Sequence, residues 1–310
     1  MKVLVTCPPM LGMIDEFRPL FEVKNVELIA PDVVQTLSEE ELIAILPQMD
    51  GWIIGDDPAT RRVFEAGIKG NLKAAVKWGV GVDNVDFDAC KELGIPITNT
   101  PKMFGAEVAG IAVNLVIGLA RQTFLIDRGV RAGSWPKPAG ISLLDKKVGL
   151  IGFGDIGKAT AQRLHAFDMN ITVYDPFASR SDEDLTKYSF KKWPEDIQDH
   201  DFIVSTCALN DSTFHMINQA SLSMMKHGVR IVNVSRGPVI NETDLIDALK
   251  TGKVHSAGLD VFEVEPLPME SPIRSLDRCI FGTHNGSNTR DGVRRATQAA
   301  LKSLFGFLNI

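Results

Sequence analysis

Short apolar runs of strand length alternate with segments of helical periodicity along the first hundred residues. The runs that predict strands are Val3–Val5, Val26–Ile29, Trp52–Ile54 and Leu72–Lys77. The segments that predict helices are Glu39–Leu46, Ala59–Ile68 and Phe87–Leu93. This alternation is typical of a parallel sheet with helices on both faces. It therefore predicts an α/β fold for this part of the chain.

The segment Ala106–Gln122 is long, apolar nearly all round and rich in alanine and glycine. A helix without a polar face is usually buried, so we expect it to lie between domains or between subunits. The segment that follows, Leu125–Leu144, shows no clear period and is predicted to be irregular.

The strand and helix alternation resumes after residue 146. The predicted strands are Val148–Ile151, Ile171–Tyr174, Phe202–Ser205, Arg230–Val234, Val254–Leu259 and Cys279–Phe281. The predicted helices are Ile156–Phe167, Ser221–Lys226, Glu242–Leu249 and a last helix at about 289–307.

A glycine motif follows the strand Val148–Ile151. Gly152, Gly154 and Gly157 have the G-x-G-x-x-G spacing, and Asp175 ends the next strand. In this pattern the glycines allow a tight turn and a close approach of a pyrophosphate to the helix N-terminus, and the acid accepts hydrogen bonds from a ribose. Because a carboxylate repels a 2′-phosphate, Asp175 favours NAD over NADP, although Arg180 lies nearby.

Composition excludes several other classes of protein. The 310 residues carry a net charge of −6, which argues against a nucleic-acid partner or an acidic membrane. No apolar run reaches the roughly 18 residues of a membrane span. The four cysteines are scattered, which suits a reducing cytoplasm, and no cluster of metal ligands is visible.

Three ionisable residues follow predicted strands of the nucleotide-binding half: Arg236, Glu265 and His284. Hydride transfer from a secondary alcohol needs a base for the hydroxyl proton and a cation for a neighbouring carboxylate, and these are tasks for histidine and arginine. A carboxylate beside the histidine would orient its ring and favour its protonated form. We interpret the five other histidines as structural or surface residues.

Together these motifs resemble the D-isomer-specific 2-hydroxyacid dehydrogenase family over essentially the whole chain. The stretches that carry the resemblance are GVGVDNVD (79–86), TNTP (98–101), GLIGFGDIG (149–157), VNVSRG (232–237), AGLDVFEVEP (257–266) and THNGSNT (283–289).

The resemblance implies two Rossmann-like, doubly wound parallel-sheet domains with a cleft between them. We expect a discontinuous substrate domain, residues 1–98 plus 288–310, and an NAD-binding domain, residues 99–287. It also implies a homodimer.

The resemblance assigns roles to individual residues. Arg236 would bind the substrate carboxylate and carbonyl, His284 would exchange the proton, and Glu265 would pair with it. Val80 and Gly81 would hold the substrate carboxylate through their N–H groups. The implied cofactor contacts are Gly152, Gly154, Asp155, Ile156, Gly157, Asp175, Cys207, Ala208, Ser235, Asp260, His284 and Gly286.

The substrate stays open between two kinds of 2-keto acid. The motifs are most similar to the 3-phosphoglycerate dehydrogenase branch, in which Lys77 or Lys137 could bind a phosphate. However, Gly55-Asp56-Asp57 is acidic where that branch often has an arginine, and Asn285 replaces the usual aliphatic residue after the histidine. The alternative substrate is an unphosphorylated 2-keto acid such as glyoxylate or hydroxypyruvate. An alternative function is that of a non-catalytic NAD sensor of the same fold.

Overall fold

The computed structural model describes residues 1–310. The chain divides into two compact units, the first made of residues 1–103 and 288–310 and the second of residues 104–287. Each unit contains one parallel sheet.

The first unit contains a five-stranded sheet in the order β2-β1-β3-β4-β5. Its strands are β1 (Lys2–Val5), β2 (Glu27–Ile29), β3 (Gly51–Ile54), β4 (Ala74–Lys77) and β5 (Ile97–Asn99). The helices before residue 100 are α1 (Pro8–Leu11), α2 (Ile14–Glu22), α3 (Glu39–Ile45), α4 (Arg61–Ile68) and α5 (Phe87–Leu93).

Local sequence signals explain where these helices begin and end. The Ser38 side chain accepts from the N–H of Glu41, whose carboxylate accepts from the N–H of Ser38, so a capping box starts α3. Gly94 ends α5 in the left-handed conformation with φ 71°. Helix α3 ends at Ile45, and a short 3₁₀ turn that contains Pro47, Leu46–Gln48, follows it directly.

The second unit contains a seven-stranded sheet in the order β12-β11-β10-β9-β6-β7-β8. Its helices are α6 (Gly105–Arg121), α7 (Thr123–Arg131), α8 (Asp155–His165), α9 (Asp182–Lys187), α10 (Gln219–Met224) and α11 (Glu242–Lys250). Its strands are β6 (Lys147–Ile151), β7 (Asn170–Tyr174), β8 (Ser189–Lys191), β9 (Phe202–Ser205), β10 (Val229–Asn233), β11 (Val254–Leu259) and β12 (Ile280–Phe281). The last helix of the chain, α12 (Arg290–Leu308), belongs to the first unit.

The strand order of the second sheet reverses between β6 and β9. In open parallel sheets, ligands bind outside the carboxyl ends of the strands at such a reversal. The Gly152 turn follows β6 and Cys207 follows β9, so both lie at this point of the sheet.

Helix α6 is buried by its own unit. It packs against α8 and against β10, β11 and β12, with most of its apolar side chains covered. The expectation that its apolar surface lies between domains or subunits is therefore wrong for most of the helix. Its exposed positions are Ala106, Gly110, Asn114 and Arg121.

The periodicity of the sequence does not predict several of the observed helices and strands. Helix α7 lies in the segment predicted to be irregular, and none of its residues is buried. Helix α2 contains Pro19, which hides its helical pattern. The strands β5 and β8 have three residues each, too few for a period to show.

None of the twelve α-helices alone combines the length and the apolar sequence that a membrane span requires. The one pair of helices that reaches the required length and composition, α6 with α7, is bent by 69°.

Candidate active site

The glycine turn after β6 is shaped for close contact on both sides. Gly152 has φ +90°, and a Cβ atom there would lie 2.7 Å from Cα of Cys207. A Cβ atom at Gly157 would overlap the carbonyl oxygen of Gly152, so the first turn of α8 packs directly on the end of β6. Gly154, the N-cap of α8, has open space where a side chain would be.

These features fit a dinucleotide. The open space at Gly154 lies at the N-terminus of the eleven-residue helix α8, where Asp155 and Ile156 begin the helix and unpaired N–H groups attract phosphate. At the end of β7, Asp175 Oδ2 accepts from the N–H of Phe153 at 2.7 Å and Oδ1 accepts from the N–H of Phe177 at 2.8 Å. These bonds fix the carboxylate beside the glycine turn. Arg180 lies over the ring of Phe190, 4.5 Å from its centre.

The loops after β9 and β10 meet through their side chains. Ser205 Oγ lies 2.8 Å from Ser235 Oγ and 3.6 Å from Cys207 Sγ, and the carbonyl of Ala208 accepts from Thr213 Oγ1 at 2.8 Å. Burial raises the pKa of the Cys207 thiol, which keeps this cysteine neutral. The predicted cofactor residues Cys207, Ala208 and Ser235 thus lie in two neighbouring loops.

Asn233 shapes the turn that presents Arg236. Its Nδ2 donates to the carbonyl of Arg236 at 2.8 Å, and its Oδ1 accepts from the N–H and the hydroxyl of Ser235. The guanidinium of Arg236 is half-buried and donates to the carbonyl of Ser235 at 3.0 Å. A strand-end asparagine therefore fixes the backbone next to the candidate substrate-binding arginine.

Glu265 and His284 form a direct pair. Nδ1 of His284 lies 2.8 Å from Oε2 of Glu265, and each side chain is 21% exposed, so the pair is reachable from outside. Oε1 of Glu265 accepts from the N–H of Phe262 at 2.8 Å, which orients the carboxylate. Because Nδ1 of His284 faces Glu265, the opposite ring nitrogen, Nε2, points away from this carboxylate.

Asp260 organises the backbone around His284. The carbonyl of Asp260 accepts from the N–H of His284 at 2.6 Å, and its carboxylate accepts from the N–H groups of Asn285 and Gly286. These bonds support the left-handed conformation of His284, with φ 54°. Burial raises the pKa of the Asp260 carboxyl, which is 3% exposed.

In the first unit, the TNTP motif holds the loop of Val80 and Gly81. The hydroxyl of Thr100 accepts from the N–H of Gly79 at 2.8 Å, and the N–H of Thr100 donates to the Gly79 carbonyl at 3.1 Å. Nδ2 of Asn99 donates to the carbonyl of Val80 at 3.1 Å. Because the carbonyls of Gly79 and Val80 accept these hydrogen bonds, the backbone of the loop is held in one conformation.

The two candidate phosphate-binding lysines lie in different surroundings. Lys77 is only 2% exposed, and its ammonium donates to the carbonyl of Gly55 at 2.5 Å and to Asp56 Oδ1 at 2.9 Å. The sequence predicts Lys77 as a substrate-binding cation, whereas the structure shows its charge already balanced by Asp56. Lys137 is exposed.

The family of the chain follows from comparison with known proteins. A model of the D-isomer specific 2-hydroxyacid dehydrogenase NAD binding domain matches residues 113–286. The chain belongs to this dehydrogenase family. It is an NAD-dependent oxidoreductase, as the glycine turn and Asp175 predict.

Relatives within the dehydrogenase family carry several activities in their names. The chain is 37% identical to a hydroxypyruvate reductase of Thermotoga maritima, covering 88% of this chain and 90% of the relative. It is 34% identical to a D-3-phosphoglycerate dehydrogenase of Methanocaldococcus jannaschii, covering 95% of this chain but only 55% of that protein. Among solved structures, a glyoxylate reductase of Paecilomyes thermophila is similar with a TM-score of 0.82 and 28% identity, covering 97% and 93% of the two chains.

Some supporting residues of the dehydrogenase were missed by sequence reasoning. The sequence places Asn233, Asn99 and Thr100 in motifs but does not predict that their side chains fix backbone turns. The available signal was a polar residue at the end of a mostly apolar strand, as in Val232-Asn233. No group of three or more potential metal ligands is present.

Proposed function

We propose that this dehydrogenase reduces a small, unphosphorylated 2-keto acid of the glyoxylate or hydroxypyruvate kind to the D-2-hydroxyacid, using NADH. The observation that carries the proposal is the His284–Glu265 pair, which follows strands of the same parallel sheet as the glycine turn and Arg236. Carboxyl ends of parallel strands lie at one edge of a sheet, so these groups share an edge.

In the proposed reaction, Arg236 binds the carboxylate and the carbonyl oxygen of the keto acid. Its permanent positive charge stabilises the negative charge that develops on that oxygen. The turn at Gly152–Gly157 and Asp175 would hold NADH, whose nicotinamide would supply the hydride for the carbonyl carbon. His284 donates the proton from Nε2 to the carbonyl oxygen, which becomes the hydroxyl group.

Glu265 keeps His284 ready for that step. Its carboxylate is hydrogen-bonded to Nδ1 of His284, which orients the ring. The negative charge also stabilises the doubly protonated imidazole before it donates its proton. We propose that Val80 and Gly81 bind the substrate carboxylate through their N–H groups. The bonds from Asn99 and Thr100 support this role because they leave the loop little freedom.

The choice of an unphosphorylated substrate rests on charge. A phosphate would need a cation, and the buried Lys77 is already bonded to Asp56 and Gly55. Asp56 would also repel a second anionic group near this part of the first unit. The hydroxypyruvate reductase and glyoxylate reductase among the similar proteins support the same substrate class.

The test is oxidation of NADH in the presence of glyoxylate, hydroxypyruvate, pyruvate and phosphohydroxypyruvate. We expect kcat/KM to be highest for one of the unphosphorylated acids. A higher kcat/KM for phosphohydroxypyruvate would overturn the substrate class and favour the phosphoglycerate dehydrogenase reading. Binding of NADH without turnover of any acid would overturn the reaction and favour the NAD-sensor reading.

A cytoplasmic homodimer, expected from the sequence, is part of this proposal. The exposed positions of α6 include Ala106 and Gly110, which are small enough to let a second helix approach closely. Light scattering of the purified protein should give twice the mass of one chain. The mass of a single chain would contradict the proposed dimer.

A further inference from the structure

The loops that present Arg236 and Glu265 touch through their main chains. A Cβ atom at Gly237 would overlap the carbonyl group of Phe262 and the nitrogen of Glu263. Gly237 directly follows Arg236, and Glu263 lies two residues before Glu265. The position of one candidate catalytic side chain therefore depends on the loop of the other.

His215 is attached to both of these loops. Its N–H donates to the carbonyl of Pro238 at 2.8 Å, which ties it to the loop after Arg236. Its Nε2 pairs with Oε1 of Glu263, which ties it to the loop of Glu265. His215 adopts the left-handed conformation with φ 48°, a conformation that non-glycine residues take only when their surroundings support it.

The surroundings of the pair restrict its movement. The ring of Phe214 stacks on His215, with 4.0 Å between ring centres and 22° between planes. The N–H of Glu263 donates to Oε2 of Glu242 at 3.4 Å, and the Asn218 side chain donates to the carbonyl of His215 at 2.9 Å. Both members of the pair are about 30% exposed, at 31% and 28%. Contacts from Phe214, Glu242 and Asn218 thus hold the pair from several sides.

We propose that His215 and Glu263 are positioning residues that fix the position of Arg236 relative to the Glu265–His284 pair. The proposal rests on the reaction proposed above. His215 and Glu263 act only through the loops and touch neither substrate nor cofactor. Loss of the pair would let the two loops shift independently, and a displacement of about 1 Å at reacting groups can cost a hundredfold in rate.

The test compares the full-length protein with His215→Asn and Glu263→Gln, using hydroxypyruvate and NADH. Asparagine tolerates the left-handed conformation but is too short to reach Glu263, and glutamine keeps the shape of Glu263 without its charge. For each variant we expect kcat to fall about ten- to a hundredfold and KM for hydroxypyruvate to rise, with KM for NADH unchanged. The double variant should be no worse than the more damaged single variant, because both remove one interaction.

The controls separate positioning from folding. His227→Asn changes an exposed histidine before β10 and should leave all constants unchanged. NADH fluorescence and the thermal unfolding midpoint report whether each variant is folded. A fall in kcat with unchanged KM for hydroxypyruvate, or additive effects in the double variant, would overturn the positioning role. An inactive wild-type protein would instead contradict the proposed reaction.

Discussion

Nδ1 of His284 lies 2.8 Å from Oε2 of Glu265, while the N–H of the same histidine donates to the carbonyl of Asp260. The loop from Asp260 to Glu265 therefore holds both the ring and the backbone of His284. A single loop after β11 sets where the proton donor lies and how its ring is turned. This relationship makes Glu265 the most direct target for mutation.

Replacement of Glu265 by glutamine should lower kcat for keto-acid reduction about ten- to a hundredfold, within the usual range for a disturbed acid–base residue. The amide still fills the space but no longer stabilises the protonated ring. Measurement of kcat at saturating keto acid and NADH tests this expectation.

Glu270→Gln is the matched control for Glu265, since it removes an exposed carboxylate shortly after the same loop. It should leave kcat unchanged. A Glu265→Gln enzyme with the wild-type kcat would contradict the role given to that carboxylate.

Most of the fold is predictable because strands such as β3 and β9 are covered on both faces and read as nearly continuous apolar runs. Helix α7 is not predictable in this way. All nine of its residues are partly or fully exposed, and charged residues follow its short apolar run at 124–126, so no long buried run marks the helix in the sequence. The strand β8 is too short for its pattern to show.

The candidate site divides along a similar line. Gly152 and Asp175 stand directly after strands and Arg236 stands three residues after β10, so chain order alone indicates their position. The pairing of Lys77 with Asp56 and of His215 with Glu263 joins residues that are far apart in sequence, in the second case by 48 positions. Such contacts depend on the tertiary packing of loops, and no local pattern predicts them.

Replacement of Thr100 by valine should weaken binding of the keto acid. The N–H of Gly79 would lose its acceptor, and an unsatisfied group of this kind costs about 1–3 kcal/mol. We expect KM for the keto acid to rise about tenfold, which corresponds to roughly 1.4 kcal/mol, with KM for NADH unchanged. Steady-state kinetics with each substrate varied in turn measures both constants.

Thr98→Val serves as the neighbouring control for Thr100, because the Thr98 hydroxyl contacts only the carbonyl of Asn99 at 3.5 Å. It should have the kinetics of the wild type. An unchanged KM for the keto acid in Thr100→Val would argue against Val80 and Gly81 as the carboxylate-binding loop.

Replacement of Asp56 by asparagine should shift substrate preference. The variant frees the positive charge of Lys77, whose ammonium would lie 3.9 Å from a Cβ atom at Gly79 and hence close to the proposed carboxylate loop. We expect the ratio of kcat/KM for phosphohydroxypyruvate to that for hydroxypyruvate to rise about tenfold, equivalent to roughly 1.4 kcal/mol. Asp88→Asn, an exposed change on α5, should leave the ratio unchanged. An unaltered ratio in Asp56→Asn would show that this acid does not discriminate against phosphate.

His200 should make the stability of the protein depend on pH. Its Nε2 lies 2.7 Å from the hydroxyl of Tyr174, and burial lowers the pKa of the imidazole to about 4 from its usual 6.5. As the pH falls below 6.5, the unfolded chain takes up a proton at His200 while the folded chain does not. Stability from this group is therefore complete above pH 6.5 and declines until about pH 4, by on the order of 3 kcal/mol.

His200→Gln should remove this part of the pH dependence, because glutamine can still donate to Tyr174 but does not titrate. The thermal unfolding midpoint of the variant should fall less steeply between pH 6.5 and 4 than that of the wild type. His255, whose pKa burial also lowers to about 4, keeps some slope in both proteins. His227→Gln changes an exposed histidine and should retain the full wild-type slope. Equal slopes for His200→Gln and the wild type would mean that His200 takes up its proton in the folded protein as readily as in the unfolded chain.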